Sequence, residues 1–190
     1  IPNFAEQQSK GRRCIAFAHK VGSDINTLSD FIWDGYVAIE DPVRSNVPDA
    51  IQAARNAGIK VKIVTGDNPE TAASIAAQAN ISQIPNTMLG KEVEAQTDTN
   101  LRKVDVFART KPEDKQTLVK RFQNMGEVVA VTGDGTNDSA ALNQAEVGVA
   151  MNNGTDIAKN AADVILLDNS FPSVILGVKW GRSLYKNIQH

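Results

Sequence analysis

One cysteine in 190 residues, only 5% aromatic side chains, and no excess of either charge: the chain is first described by what it is short of. A lone thiol, Cys14 between Arg13 and Ile15, cannot close an internal disulfide, so the fold must rest on its apolar core, and Cys14 itself reads as a small residue of that core. This thiol usage suits a reducing compartment. Twenty Lys and Arg against 22 Asp and Glu, a formal charge of −2, leave no basic footprint for DNA or RNA. No apolar run approaches the ~18 residues that cross a bilayer. The opening IPNFAEQQSK has neither the basic nor the apolar region of a signal peptide. His19 and His190 stand at no ligand spacing and are read as non-ligands. Phe31, Trp33 and Tyr36 read as core or edge packing, not as a platform for stacked bases.

What is present is 42% hydrophobic residues, enough for a sizeable core. Two strands are expected first, over 12–20 and 31–40, joined by the polar stretch 21–30. From about residue 41 helices and strands alternate. Helix 45–58, with Gly58 as its cap, leads to strand 59–65; helix 69–79 and a linking region lead to strand 104–109. Then follow helix 111–126, strand 128–132, helix 137–145, strand 147–151, helix 155–161 and strand 164–168. Apolar, β-branched strands alternating with helices predict an α/β fold, a Rossmann-like parallel sheet with helices on both faces. In such sheets ligands gather outside the carboxyl ends of the strands.

Two of those ends carry the same triplet. Thr65, Gly66 and Asp67 close one strand; Thr132, Gly133 and Asp134 close another, so both are expected on one edge of the sheet. Each glycine removes a blocking side chain, each threonine offers a hydroxyl, and each following helix start presents free N–H groups. That suits phosphate. The second mouth adds a carboxylate, Asp138, four residues after Asp134. Two carboxylates beside a phosphate repel it unless Mg²⁺ stands between them, and Mg²⁺ takes one or two carboxylates plus phosphate oxygens and waters. In FARTKPEDKQTLVKRF, residues 107–122, the helix starts near Pro112 and sets Lys115 in its opening turn, on the same edge. Hydroxyl, backbone N–H, lysine and magnesium around one phosphoryl group describe a phosphoryl-transfer site without a nucleophile. Taken singly, each residue has a plainer reading: Asp138 as a charge at a helix start, Asp67 as a cap ahead of Pro69, Lys115 as a solvated helix lysine. Neither the P-loop pattern nor G-x-G-x-x-G occurs.

The order of TGD, a lysine after a strand, and VTGDGTND resembles the haloacid-dehalogenase superfamily and, within it, the P-type cation-transporting ATPases. IEDPVR (39–44) resembles the hinge between their nucleotide-binding and phosphorylation domains, and VTGDNPETA (64–72) and GVAMNNGTDIAKNAADVILLDNSFPSVI resemble stretches of the phosphorylation domain. The tail VKWGRSLYKNIQH is similar to the start of the fifth transmembrane helix of calcium pumps. The resemblance implies three parts: residues 1–41 as the end of a nucleotide-binding domain, 42–170 as a phosphorylation domain, 171–190 as the start of a stalk.

It also implies roles. Thr65 and Gly66 would bind the transferred phosphoryl group, Lys115 would neutralise its charge, and Asn137 would bond the phosphate. Asp67 would place the nucleotide phosphates and Lys115, Asn68 would lead into a nucleotide-facing helix, and Arg109 would reach the ribose side of ATP. Asp134 would ligate Mg²⁺, with Asp138 ordering its water shell, and Asp41 and Arg44 would secure the hinge. The partners implied are the nucleotide-binding, actuator and transmembrane domains of the same pump, and a cation bound within the membrane part. The family's acceptor motif DKTGT does not occur in these 190 residues, nor does the superfamily's D-x-D nucleophile pattern. The expectation is therefore a piece of a pump, soluble and cytoplasmic, whose sheet lacks the strand bearing the nucleophile. A soluble phosphatase of the same superfamily and a non-catalytic magnesium- or phosphate-binding module are the alternatives.

Overall fold

A computed structural model describes residues 6, 7, 10, 12–22 and 29–188; His190, residues 1–5 and most of the stretch 21–30 lie outside the described residues. Strands β1 (Arg13–His19) and β2 (Ile32–Ile39) pair antiparallel, with a register shift between Phe17 and Ala18. No third strand joins them among the described residues, so their apolar side chains stay in the open. Cys14 is only half-buried, and Phe31 and Trp33 are 51% and 44% exposed. The expectation that Cys14 lies in a core is corrected, and of core or edge packing for Phe31 and Trp33 the core alternative drops out: a two-stranded ribbon has no second layer to bury them.

Beyond the ribbon the alternation holds. Helix α1 (Val47–Asn56) opens on a proline in its first turn, buries Ala50, Ile51 and Ala54, and stops where Gly58 turns to φ 76°. Strand β3 (Ile63–Val64) leads to α2 (Pro69–Gln78), whose Ala72 and Ala76 are fully buried and let the helix lie close on the sheet. The stretch expected as a linker folds into β4 (Thr87–Leu89) and α3 (Asp98–Lys103), the latter capped by Thr97, which accepts from the Asn100 N–H. Then come β5 (Val106–Ala108), α4 (Pro112–Asn124), β6 (Ala130–Gly133), α5 (Ser139–Gln144), β7 (Val147–Met151), α6 (Asp156–Ala161), β8 (Val164–Leu166) and α7 (Phe171–Ile188). Phe107, Leu101, Val93, Val104 and Leu118 form the main apolar cluster, where Phe107 meets Phe122 edge to face at 6.5 Å.

All strands of this part run parallel, but in two sheets, ordered β3-β5-β4 and β6-β7-β8. The expected single sheet is divided between β3 and β6, each an edge strand of its half. A groove of ≈ 850 Å³ separates them, lined by Ile63, Val64, Phe107, Leu118, Val129 and Val131 among others. The division explains why strand 59–65 shrinks to Ile63–Val64. Residues 59–62 run past the start of β5 and border the groove, where no chain supplies ladder hydrogen bonds. Val128, expected to open β6, is 84% exposed for the same reason.

Candidate active site

The carboxyl ends of β3, β5 and β6 converge at one end of this groove. At the first, the Thr65 carbonyl accepts from the Thr110 N–H at 3.0 Å and from Thr110 Oγ1 at 2.9 Å, tying β3 to the chain leaving β5. Thr65 Oγ1 accepts from the Asp67 N–H at 3.1 Å, and the Asp67 carbonyl accepts from the Arg109 N–H at 2.9 Å. These bonds hold Gly66 and Asp67 at the surface as a fixed turn. Arg109 sits at φ 51°, a left-handed conformation uncommon outside glycine, with its side chain exposed. Asn68, not Asp67, caps α2: its Oδ1 accepts from the Thr71 N–H at 2.8 Å.

The second mouth is built around Asp138. Its Oδ1 accepts from Lys115 Nζ at 2.6 Å, and its Oδ2 accepts from the N–H groups of Asp134 and Gly135 at 3.4 and 3.2 Å. Both partners of the ion pair are largely shielded, 17% and 16% exposed. Lys115 reaches this position because Pro112 starts α4 directly after β5 and the Lys111 N–H donates to Asp114 Oδ2, closing the first turn. Gly133 leaves the space Asp138 occupies: a Cβ there would stand 2.5 Å from Asp138 Cβ.

The structure therefore joins Lys115, Asp134 and Asp138 in one network, while Thr65, Gly66 and Asp67 form a second turn tied to Thr110 and Arg109. Asn137 lies in the short 3₁₀ turn Thr136–Asp138, exposed. In IEDPVR, Asp41 is exposed, while Arg44 Nη1 donates to the Asn169 carbonyl at 2.6 Å. Sequence reasoning passed over Thr110, which is 8% exposed, as well as Gly154, Thr155 and Asn169, treated below. The signal for Thr155 was available, since a threonine before Asp156 is an N-cap signature.

Magnesium can be tested against these residues. The Asp134 carboxylate is exposed and has no hydrogen-bond or ionic partner among the described residues, whereas both oxygens of Asp138 are engaged. No group of three or more His, Cys, Asp or Glu among the described residues could cage a metal. This donor set fits a hydrated Mg²⁺ held directly by Asp134 and completed by phosphate oxygens, with Asp138 acting behind it.

A family model described as haloacid dehalogenase-like hydrolase matches residues 4–146. The chain belongs to this family. Among its relatives are a plasma membrane-type calcium-transporting ATPase 5 of Oryza sativa subsp. japonica, 42% identical over 93% of the chain, and calcium-transporting ATPase 1 of Lactococcus lactis, 41% identical over 95%. The chain spans about a fifth of the length of each, 18% and 22%. Among solved structures, a zinc-transporting PIB-type ATPase in an E2·Pi state superposes with a TM-score of 0.71 at 26% identity, over 98% of this chain and 25% of that one. The relatives and the solved structure named here are ATPases that transport cations. No helix among the described residues is long and apolar enough to cross a membrane.

Proposed function

We propose that this chain forms the phosphorylation-domain machinery of an ATP-driven cation pump, calcium-transporting, that works through an aspartyl-phosphate intermediate. The observation that supports the reading is that the Lys115–Asp138 pair lines, together with Val64 before one TGD turn and Thr132 of the other, a groove between edge strands of two parallel sheets. One extended segment, seated parallel between β3 and β6, would complete both ladders, and its carboxyl end would emerge between Thr65 and Asp134. A DKTGT aspartate at that end is the acceptor the sequence of this chain does not contain.

In this reading a carboxylate oxygen of the acceptor attacks the γ-phosphorus of ATP, the bond to the β-phosphate oxygen breaks, and ADP leaves. Lys115 stabilises charge on the transferring group, Thr65 and Gly66 offer it a hydroxyl and an N–H, and Asn137 bonds its oxygens. Asp67, Asn68 and Arg109 face the nucleotide. Mg²⁺, when bound at Asp134, supplies charge neutralisation at the phosphoryl oxygens. Residues 1–41 would belong to the nucleotide-binding domain, Asp41 and Arg44 to a hinge, 42–170 to the phosphorylation domain and 171–190 to a stalk. The site would then lie on the cytoplasmic side of the membrane, partnered by the pump's remaining domains, with the cation bound elsewhere. The calcium-transporting relatives support the choice of ion.

The test joins a short apolar strand ending in DKTGT to the chain through a flexible linker. With Mg²⁺ and labelled acetyl phosphate the fusion should acquire acid-stable, hydroxylamine-sensitive label, and the unaltered chain given labelled ATP should acquire none. Label on the unaltered chain, or none on a folded fusion, overturns the proposal.

A further inference from the structure

The Asp134 carboxylate is exposed and has no partner among the described residues, and what holds its backbone in place comes from a distant part of the sequence. The turn 152–155, between β7 and α6, lies directly on it. The Thr155 N–H donates to the Asp134 carbonyl at 2.8 Å. Gly154 fits beneath: a Cβ added there would stand 2.9 Å from the Asp134 carbonyl oxygen, 3.1 Å from Asp134 Cα and 3.0 Å from the Met151 carbonyl oxygen. All three are backbone atoms and have no side-chain freedom with which to retreat. The turn is itself braced from outside. The Asn152 N–H donates to the Leu166 carbonyl at 3.0 Å, Lys159 Nζ to the Asn152 carbonyl at 3.2 Å, and the Asn153 N–H to Asn169 Oδ1 at 3.0 Å. Asn169, at φ 52°, is in turn the residue whose carbonyl receives Arg44.

We infer that Gly154 and Thr155 are positioning residues for Asp134: the turn fixes the backbone from which that carboxylate reaches the metal. The inference rests on the reading of Asp134 as the direct magnesium ligand. Asp138 sets the same loop from the other side, through the Asp134 and Gly135 N–H groups, so the loop is clamped between a side chain and a turn. A carboxylate on a clamped loop enters the metal's sphere without first ordering its own backbone, and loosening such support typically lowers metal affinity about 10- to 100-fold.

The experiment is a Mg²⁺ titration of the full chain at constant ionic strength, read by the amide chemical shifts of Gly133 and Gly135. The unaltered chain should saturate, and Asp134→Asn should not. Gly154→Ala should raise the midpoint about tenfold, while Gly177→Ala, where an added Cβ meets nothing within 4 Å, should leave it in place. A second pair guards against misfolding. Thr155 has φ −65°, which proline shares, so Thr155→Pro keeps that dihedral while replacing the N–H with a ring carbon against the Asp134 carbonyl, whereas Thr155→Ala keeps the N–H and removes only the cap to Ala158. Thr155→Pro should shift the midpoint well beyond Thr155→Ala. No magnesium response, or one that survives Asp134→Asn, overturns the metal reading and this inference together. A magnesium response that Asp134→Asn abolishes, with Thr155→Pro matching Thr155→Ala, overturns the positioning role alone.

Discussion

Lys115 Nζ donates to Asp138 Oδ1 at 2.6 Å, joining the first turn of the helix after β5 to the turn after β6 and so linking the two half-sheets across their common mouth. With both side chains about five-sixths shielded from solvent, this contact is more than an exposed surface pair.

Its strength can be measured by a double-mutant cycle. Asp138→Ala removes an acceptor shared by Lys115 and two backbone N–H groups and should cost about 1–3 kcal/mol of unfolding free energy. Lys115→Met should cost less, because the loop bonds survive. Urea unfolding of the singles and the double should show coupling of about 1 kcal/mol; simple additivity would show that the pair contributes nothing to folding.

Gly133 tests the same contact from below. A methyl group 2.5 Å from Asp138 Cβ must displace that side chain, so Gly133→Ala should destabilise by about 1–3 kcal/mol. It should also move the Lys115 side-chain resonances. An unshifted melting temperature would mean that the turn has room the geometry denies.

Thr110 ties the mouth of β3 to the chain leaving β5 through Thr65. Thr110→Val keeps the shape and the N–H bond but removes the 2.9 Å hydroxyl bond, and should cost about 1 kcal/mol. Amide exchange at Gly66 and Asp67 should quicken with it. Unchanged exchange would detach Thr110 from the phosphate turn.

Acid should loosen the molecule at two carboxylates away from the Lys115–Asp138 pair. The Val129 N–H donating to Glu146 holds its carboxyl below the usual range, and the Ser173 hydroxyl does the same for Asp168. Both folded-state values lie below the unfolded ones, so the unfolded chain binds more protons in between and stability falls as pH falls through that window. Their contribution is fully present above the ordinary carboxylate range. Glu146→Gln should therefore flatten the acid limb of a plot of stability against pH; a limb of unchanged slope would assign acid sensitivity elsewhere.

The residue string alone determined the order of helices and strands from α1 onward, β4 and α3 excepted, the two TGD turns, and Lys115 at a helix start, because each depends on local periodicity and on caps such as Pro112 and Gly58. It also carried the resemblance to cation pumps, since VTGDGTND is a chemical pattern as well as a structural one. Tertiary structure decided the rest. The α/β fold is borne out, yet its sheet is split, since a strand exists only where a neighbour completes its ladder and β3 and β6 border a groove instead. The stretch between α2 and β5 looked like a linker because β4 and α3 are short and take their stability from Phe107 and Leu101 in the core. Asp138 could not be told from a helix-start charge until Lys115, 23 positions earlier, was seen at its carboxylate. Nor does any local pattern reveal that Thr155 holds Asp134, 21 positions before it: contacts between backbone groups leave no mark on residue type beyond a glycine where two chains touch.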